Sequence, residues 1–157
     1  MIQSTLLYIT REDGMTLMLY RNKKPQDPNA GKWIGIGGKL EAGETPEEGM
    51  RREAWEETGL TLPDLMYRGI VRFENTKYET EEMHLFTAQR TEGVLTECDE
   101  GTLRWLTEAE FAALPQWEGD RIFLRLLKKK EPFFFLTLQY DGDRLLHAIL
   151  ADKGEIQ

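Results

Sequence analysis

Three glutamates, Glu53, Glu56 and Glu57, are the residues in this chain whose type and spacing best suit chemistry. A helix over residues 46–58 would place their carboxylates within an arc of about 100° on one face. Like charges at this spacing repel each other and weaken a helix. A hard divalent cation offsets that repulsion, because Mg²⁺ binds carboxylate oxygens and completes its coordination with water and substrate phosphates. The cluster therefore predicts a site for Mg²⁺, or for Mn²⁺ in its place, beside a phosphate-containing substrate.

The helix that carries these glutamates has clear signals at both ends. Thr45 suits the N-cap, Pro46 suits the first helical position, and Glu48 completes a capping box three residues after the cap. Gly59 is typical of the left-handed residue that ends a helix, and Leu60 can pack back onto the last turn. The sequence therefore predicts a helix over Pro46–Thr58.

The alternative interpretation is a solvated helix held by ion pairs. The i,i+4 pairs Glu47–Arg51 and Glu48–Arg52 support it for the first half of the helix. It does not account for the three glutamates in the second half, which have few helical cations beside them. Gly49 costs a helix interior about 1 kcal/mol relative to alanine, so it indicates close approach of a neighbouring loop or of a metal-bound diphosphate.

The fixed positions in and before this helix resemble the signature of the Nudix hydrolase family: Gly38, Glu44, Arg52-Glu53, Glu56-Glu57 and Gly59-Leu60. The resemblance implies that Glu53, Glu56 and Glu57 bind the metal or activate water. It also makes Gly38 a member of the metal site. Arg52 and Glu44 would brace the loop against the helix, which places Arg52 among the catalytic residues.

The family resemblance also indicates a carboxylate outside the signature. In Nudix enzymes a loop carboxylate often joins the metal site or acts as the base. The acidic segment before Trp105 contains Glu97, Asp99 and Glu100, and Glu100 matches that position best. A solvated acidic loop is the other interpretation. The resemblance thus adds Glu100 to the catalytic and metal-binding residues, and the base is either Glu53 or Glu100.

Two segments before the signature contain candidates for binding substrate phosphates. The polar residues 21–30 include three cations, Arg21, Lys23 and Lys24, which either meet the phosphates or only keep the loop solvated. In residues 31–39 four glycines alternate with bulky residues, which indicates close backbone approach beside the site. This run resembles the segment before the signature in Nudix nucleoside triphosphatases, which implies that Lys39 lies close to phosphate. A generic glycine-rich phosphate loop fits less well, because neither the dinucleotide nor the Walker pattern is present.

Candidates for binding the base lie in two places. The same resemblance implies that Trp33 and Ile34 border a base pocket. Trp117 combines an indole with nearby acids, a set suited to stacking on a purine and hydrogen bonding to its edge. The chain resembles, nearly end to end, the Nudix enzymes that hydrolyse oxidised purine nucleoside triphosphates such as 8-oxo-dGTP. In that branch an asparagine and two adjacent aspartates recognise the purine; here the positions hold Ile34 and Gly119-Asp120, so Asp120 alone carries over.

Composition limits the class of protein. The 157 residues predict a single domain, 1–157, and the 40% hydrophobic and 31% charged residues are typical of a soluble globular protein. No apolar run approaches the roughly 20 residues that cross a bilayer, and the N-terminus does not resemble a signal peptide. A net charge of −8 disfavours nucleic-acid polymers as partners, whereas a bound cation would let a small nucleotide approach. A single cysteine, Cys98, fits a reducing cytoplasm, and we expect a monomer or a homodimer with no membrane partner.

The pattern of strands and helices, together with the resemblance, predicts an α/β (α+β) fold of the Nudix type. We expect a mixed β-sheet packed between helices, with an N-terminal and a C-terminal β-hairpin. The N-terminal hairpin joins strands 4–10 and 15–20 through Asp13-Gly14, and the C-terminal hairpin joins strands 133–140 and 145–151 through Asp141-Gly142.

Between the hairpins we expect an antiparallel pair of strands, 65–73 and 83–90, and a short strand over 103–106. His84 in this pair is expected to be structural, because it has no partner at metal-ligand spacing. A capping box at Thr107 predicts one short helix, and Asp120 suits the cap of another that reaches about Lys130.

These patterns and the resemblance to the Nudix family together imply an enzyme. We expect a Mg²⁺-dependent pyrophosphohydrolase that converts a nucleoside triphosphate to the monophosphate and pyrophosphate, with a role in nucleotide-pool sanitation and DNA repair. One alternative is a Nudix hydrolase of another nucleoside diphosphate derivative, such as ADP-ribose or a dinucleoside polyphosphate. The other is a nucleotide sensor without catalysis, against which the intact set of carboxylates argues.

Overall fold

The computed structural model describes residues 1–23 and 27–156 of the chain. Within these ranges the helices and strands follow one another as β1 (Ile2–Ile9), β2 (Thr16–Tyr20), β3 (Trp33–Ile34), α1 (Pro46–Thr58), β4 (Leu60–Thr61), β5 (Met66–Asn75), β6 (Glu81–Ala88), β7 (Glu92–Gly93), β8 (Thr102–Leu106), α2 (Glu108–Ala112), α3 (Asp120–Lys128), β9 (Phe134–Asp141), β10 (Arg144–Leu150) and β11 (Gly154–Glu155). None of these helices combines the length and the apolar character that crossing a membrane requires.

The strands form a mixed sheet with two smaller sheets beside it. The six-stranded sheet has the order β1-β6-β5-β9-β10-β11, in which β1 pairs with β6 and β5 with β9 in parallel, while the other pairs are antiparallel. A three-stranded sheet has the order β3-β2-β8, and β4 pairs with β7. This mixed α+β architecture confirms the predicted fold class.

The predicted N-terminal hairpin is only partly present. The turn at Asp13-Gly14 exists, with a bridge between Thr10 and Thr16, but β1 and β2 then separate into different sheets. The cause is that both edges of β1 have other partners. β6 pairs along one edge over eight residues, and residues 36–39 bridge to Leu7 and Ser4 on the other. β2 therefore pairs with β3 and β8 instead.

The other predicted strand pairs are confirmed. β5 and β6 pair antiparallel, and β9 and β10 form the C-terminal hairpin around Asp141 and Gly142. His84 on β6 is buried, with one ring nitrogen hydrogen-bonded to Gln3 at 2.7 Å and the other to the hydroxyl of Tyr67. Both nitrogens are thus used in packing the sheet, in agreement with a structural histidine.

Helix α1 has the predicted bounds, because its capping box and its left-handed Gly59 are both formed. The capping box that opens α2 is also formed. In α3, however, Gly119 is the N-cap, and no side chain caps it. Asp120 is instead the first helical residue and its side chain is buried, so the prediction that Asp120 caps this helix was wrong.

The core brings α1 and α3 to the same strand. α1 packs against β1 and buries Met50 and Ala54, while the ring of Phe123 on α3 lies 6.0 Å from that of Tyr8 on β1. Two glycines let the segment before α1 lie against this strand. A Cβ at Gly37 would come within 1.8 Å of the Thr5 carbonyl oxygen, and one at Gly35 within 2.7 Å of that of Leu7. The close approach predicted for this glycine-rich run is confirmed.

Candidate active site

The loop before α1 is held against the helix by contacts that require glycine. A Cβ at Gly38 would lie 2.7 Å from the carboxyl carbon of Glu53, so this backbone lies directly beside that carboxylate. A Cβ at Gly49 would lie 2.2 Å from Cδ2 of Leu40 and 3.2 Å from Oε1 of Glu44. Of the two alternatives for Gly49, the neighbouring loop is therefore the one that the structure supports.

Arg52 links this loop to the carboxylates of α1. Its guanidinium donates to both oxygens of Glu44 at 2.6 and 2.9 Å, and to Oε1 of Glu53 and Oε2 of Glu56 at 2.8 and 3.1 Å. A further bond reaches the carbonyl oxygen of Lys39 at 3.1 Å. The hydrogen bond from Arg52 is the main cause that lowers the pKa of Glu44. Bidentate pairing of this kind fixes orientation as well as charge.

These bonds change the ion-pair pattern expected along α1. Glu47 and Arg51 pair at 3.4 Å as expected. Glu48 instead accepts from the backbone N–H of Thr45 in the capping box, and Arg52 turns to the loop. Arg52 also lies beside Glu53 and Glu56, for which few helical cations were expected.

Glu57 differs from its two neighbours. Its side chain is 5% exposed, whereas that of Glu56 is 56% exposed and that of Glu53 is 15% exposed. In the described part of the chain neither carboxylate oxygen of Glu57 accepts from an N–H or hydroxyl donor, and the side chain within hydrogen-bonding reach is that of Glu53. Burial raises the pKa of Glu57 to about 9, and the charges of Glu100 and Glu53 contribute to the increase. Burial also raises the pKa of Glu53, although its bond to Arg52 acts in the opposite direction.

Glu100 comes from the loop before β8 and is close enough for its charge to act on Glu57. Its Oε2 pairs with Nη1 of Arg21 at 2.8 Å, and Nε of the same arginine pairs with Asp27 at 2.5 Å. Asp99, an alternative to Glu100 in the sequence, is exposed. The sequence identified Arg21 as a loop cation, but it gave no indication that Arg21 pairs with Glu100.

The donor set of this cluster fits a hard divalent cation. Glu53, Glu57 and Glu100 supply only oxygen ligands. In the described residues the buried carboxylate of Glu57 accepts from no N–H or hydroxyl donor, so it has a polar need that a cation would satisfy. Among residues 1–23 and 27–156 no three acidic, histidine or cysteine side chains are already arranged as a metal site. Arg52 and Arg21 hold Glu53 and Glu100 in ion pairs instead. The carbonyl oxygen of Gly38 accepts from the N–H and the hydroxyl of Thr5.

The lysines predicted to contact phosphate differ in their hydrogen bonding. Lys23 is exposed and its Nζ donates to the carbonyl oxygen of Cys98 at 2.7 Å. Lys39 is exposed next to Gly38 and carries no side-chain bond in the described ranges. Lys24 lies outside the described residues. Cys98 itself is buried, and burial raises the pKa of its thiol, which does not suit a nucleophile.

Trp33 and Ile34 are both buried, each 8% exposed. The Trp33 ring stacks on Tyr20 with 5.1 Å between ring centres and 27° between planes, and the backbone N–H of Trp33 donates to the carbonyl oxygen of Pro115. These contacts tie β3 to the segment that precedes Trp117. Ile34 offers only apolar surface.

Trp117 and Asp120 lie together at the start of α3. Trp117 is 6% exposed and packs at steep angles on Phe73 and Tyr140, with ring centres 5.1 and 5.2 Å away. Asp120 is 5% exposed, and burial raises its pKa to about 8, with Lys32 acting against that increase.

Two residues of this cluster were missed in the sequence. Asn29 accepts a hydrogen bond from Nε1 of Trp117 at 2.7 Å, and Nζ of Lys32 lies 4.3 Å from the centre of the Trp117 ring. Both lie almost ninety positions before Trp117, so no local pattern relates them to it. The polarity of segment 21–30 was the only signal for Asn29.

A separate groove of about 1240 Å³ lies away from these carboxylates. Tyr8, Met18, Tyr67, Phe111 and Phe133 line its apolar part, and none of Glu53, Glu56, Glu57 and Glu100 contributes to it. The candidate chemistry is therefore not located in this groove.

Comparison with known proteins covers almost the whole chain. The model of the NUDIX domain matches residues 2–127. An oxidized purine nucleoside triphosphate hydrolase from Mus musculus is 38% identical over 120 residues, 74% of this chain and 76% of that protein. A protein of the same name from Danio rerio is 37% identical over 105 residues, 66% and 67% of the two chains. The crystal structure of a MutT protein from Bacillus halodurans superposes with a TM-score of 0.81 at 28% identity, covering 98% of this chain and 99% of that one.

Proposed function

The chain belongs to the Nudix hydrolase family, and on this premise we propose that it converts oxidised purine nucleoside triphosphates to monophosphate and pyrophosphate in a Mg²⁺-dependent reaction. The observation that carries the proposal is the carboxylate of Glu57. In the described residues it is buried and accepts from no N–H or hydroxyl donor, and the charges of Glu53 and Glu100 act on it. Such a cluster is suited to holding a cation against a polyphosphate.

The chemistry follows from the positions of the chain's own groups. Water attacks the α- or the β-phosphorus in line with the leaving oxygen; the new P–O bond forms as the P–O bond of the α–β anhydride breaks, and the products are the monophosphate and pyrophosphate. Glu53 or Glu100 accepts the proton from the attacking water. Arg52 orients Glu53 and Glu56 and fixes the loop that carries Gly38.

Glu53, Glu56, Glu57 and Glu100 would hold the metal, and the carbonyl oxygen of Gly38 would join them by giving up one of its two hydrogen bonds from Thr5. When bound, Mg²⁺ supplies charge that stabilises the phosphoryl oxygens and lowers the pKa of a bound water. The protonation of each carboxylate depends on the charge of the others, so the protons belong to the set as a whole. The base is either Glu53 or Glu100.

Substrate binding uses groups on both sides of the signature. Lys39 and Lys23 are exposed cations close to the carboxylate end of the site and would contact the phosphates. Trp117 and Asp120 would contact the base, with Trp33 and Ile34 bordering that pocket. We further propose that the enzyme acts in the cytoplasm on free nucleotides, as a monomer or homodimer, without a nucleic-acid or membrane partner.

A second substrate class has support from two positions. Ile34 and Gly119 stand where the oxidised-purine branch has polar side chains, so two base-recognising groups are missing. A Nudix hydrolase of ADP-ribose or of a dinucleoside polyphosphate would not need them. The metal site and the reaction at phosphorus would be the same in that enzyme.

A substrate panel tests the proposal. Purified protein with Mg²⁺ is given 8-oxo-dGTP, other oxidised purine triphosphates, the normal dNTPs, ADP-ribose and a dinucleoside polyphosphate, and monophosphate and pyrophosphate are quantified. We expect the highest kcat/KM with an oxidised purine triphosphate. Preference for ADP-ribose or the dinucleotide would select the second substrate class, and binding without cleavage of any compound would indicate a sensor.

The Glu57→Gln variant tests the assignment of the cluster. We expect kcat to fall by at least about 100-fold with the fold intact, since a neutral amide replaces the buried carboxylate. Glu47→Gln is the matched control, because Glu47 is an exposed glutamate on the same helix that pairs only with Arg51 in the described ranges. A Glu57→Gln enzyme with wild-type turnover would contradict the assignment.

A further inference from the structure

Lys32 places a positive charge inside the site proposed for the base. Its Nζ lies 4.3 Å from the centre of the Trp117 ring, and its side chain is 15% exposed. The same ammonium pairs with Asp143 at 3.3 Å, and its charge acts on the buried Asp120. Because Nζ lies over the Trp117 ring, a base that stacks on that face of the ring would come into contact with the Lys32 ammonium.

The polar groups around Trp117 differ in what they can offer a base. Lys32 can only donate hydrogen bonds, whereas the carboxyl of Asp120 accepts when ionised and also donates when protonated. Asn29 already uses Oδ1 to accept from Trp117. Ile34 and Gly119 contribute no polar side-chain atom. Asn29 keeps its amide N–H groups as neutral donors, so Lys32 is the charged side-chain donor beside Trp117.

We propose that Lys32 determines the specificity for the base by donating to the carbonyl oxygen at C6 of the purine, so that 6-oxopurine nucleotides are preferred to 6-aminopurine nucleotides. This inference rests on the proposed function, because it assumes that the base binds at Trp117 and Asp120.

The position C6 follows from the chemistry of the purines. Among common purines the C6 substituent is either a carbonyl, which accepts, or an amino group, which donates. A lysine cannot accept a hydrogen bond. It therefore distinguishes purines at a position where some carry an acceptor and others a donor. A 6-amino group facing the ammonium would leave two donors opposed in a site with little access to water, which binding sites reject strongly.

Asp120 complements this arrangement. Burial raises the pKa of Asp120 to about 8, so this carboxyl is mostly protonated at neutral pH in the unliganded protein. It can then either donate to or accept from the ring nitrogens next to C6. The discrimination at C6 itself falls to Lys32, whose side chain can only donate.

The test compares two nucleotides that differ mainly at C6, dITP and dATP, and repeats the comparison with 8-oxo-dGTP and 8-oxo-dATP. Wild-type protein is expected to prefer the 6-oxo member of each pair by at least 10-fold in kcat/KM. Lys32→Met keeps the length of the apolar chain and removes the donors, and it should reduce each ratio to below about 3-fold. Lys32→Arg should keep the preference. Lys153→Met, a lysine that pairs with Glu131 outside this site, should leave both ratios unchanged.

Binding of dIMP and dAMP without metal, followed by Trp fluorescence, gives a second readout that does not depend on catalysis. The preference for dIMP should be lost in Lys32→Met. If Lys32→Met does not fold, Lys32→Gln replaces the ammonium with a neutral amide. This variant should lower the ratios in the same direction but by a smaller factor. Unchanged ratios in a folded Lys32 variant, or a wild-type preference for the 6-amino member, overturn the inference. Wild-type protein that cleaves no purine triphosphate at all overturns the proposed function instead.

Discussion

Asp120 is a buried acid that lies outside the carboxylate cluster of α1, and its charge depends on pH. Its pKa is raised from 3.8 to about 8, chiefly by burial. For an acid whose pKa is higher in the folded state, the contribution to stability is complete below the unfolded pKa and is lost as the pH rises through the folded one. The free energy of unfolding should therefore decrease by up to about 1.4 kcal/mol per pH unit between pH 5 and 7 from this residue alone.

The Asp120→Asn variant isolates this effect, because the amide has the same shape and no charge to titrate. Urea unfolding of both proteins at pH 5, 6, 7 and 8 gives the difference in free energy. We expect the variant to gain stability relative to wild type as the pH rises. Parallel curves for the two proteins would show that Asp120 keeps an ordinary pKa.

At the residue scale, local spacing identified the groups on one helix and the family resemblance identified Glu100, but neither predicted several contacts that form only through the fold. Glu53 and Glu57 are four positions apart on one helix, so helical geometry alone brings them together. Asn29 reaches Trp117 across 88 positions, and Lys23 reaches the carbonyl oxygen of Cys98 across 75. Contacts of this kind depend on tertiary packing, which no spacing rule encodes.

At the scale of elements, the contact between α1 and its preceding loop depends on Gly49. Leucine at this position should lower stability by about 1–3 kcal/mol and reduce activity, because it would displace Leu40 and with it the loop that presents Glu44 to Arg52. Thermal unfolding and kcat/KM of Gly49→Leu measure the two effects. Full activity in this variant would contradict the role given to the glycine.

A double-mutant cycle with Leu40 provides the control. Alanine at position 49 gains about 1 kcal/mol of helix propensity but its Cβ meets Cδ2 of Leu40. We expect Gly49→Ala to be less favourable in wild type than in a Leu40→Ala background, where the side chain that blocks it is absent. Equal effects in the two backgrounds would mean that another contact limits position 49.

The elements also differ in how far the sequence determines them. Both ends of α1 follow from residues that act locally, the capping box at Thr45 and the left-handed Gly59, and the prediction matches the structure. The pairing of β1 does not follow in this way. Asp13-Gly14 forms its turn, yet β6 and residues 36–39 occupy the two edges of β1 and exclude β2. A hairpin signal predicts the turn, and competition for strand edges decides the pairing.

At the scale of the whole molecule, an acidic protein places acidic side chains at the centre of its site. The chain has a formal charge of −8, and Glu53, Glu57 and Glu100 are close enough for their charges to interact. Folding without a cation must bring these groups together and bury Glu57. The stability of the whole protein is therefore expected to depend on divalent cations.

Mg²⁺ should raise the thermal unfolding temperature of wild-type protein at pH 7.5, because it binds the folded state and not the unfolded chain. At about 100 times its dissociation constant the gain is about 2.7 kcal/mol, or roughly 5–10 °C for a chain of this size. Glu57→Gln should be at least as stable as wild type without metal, since it removes a carboxylate that burial disfavours, and should gain less from Mg²⁺. Glu47→Gln, with its exposed side chain, should behave as wild type in both conditions.

Scanning calorimetry over a range of Mg²⁺ concentrations, with the ionic strength kept constant by NaCl, separates the effect of Mg²⁺ binding from that of charge screening. An equal rise in wild type and Glu57→Gln would place the cation away from this carboxylate, because a ligand stabilises a protein only through groups that distinguish the folded state from the unfolded one.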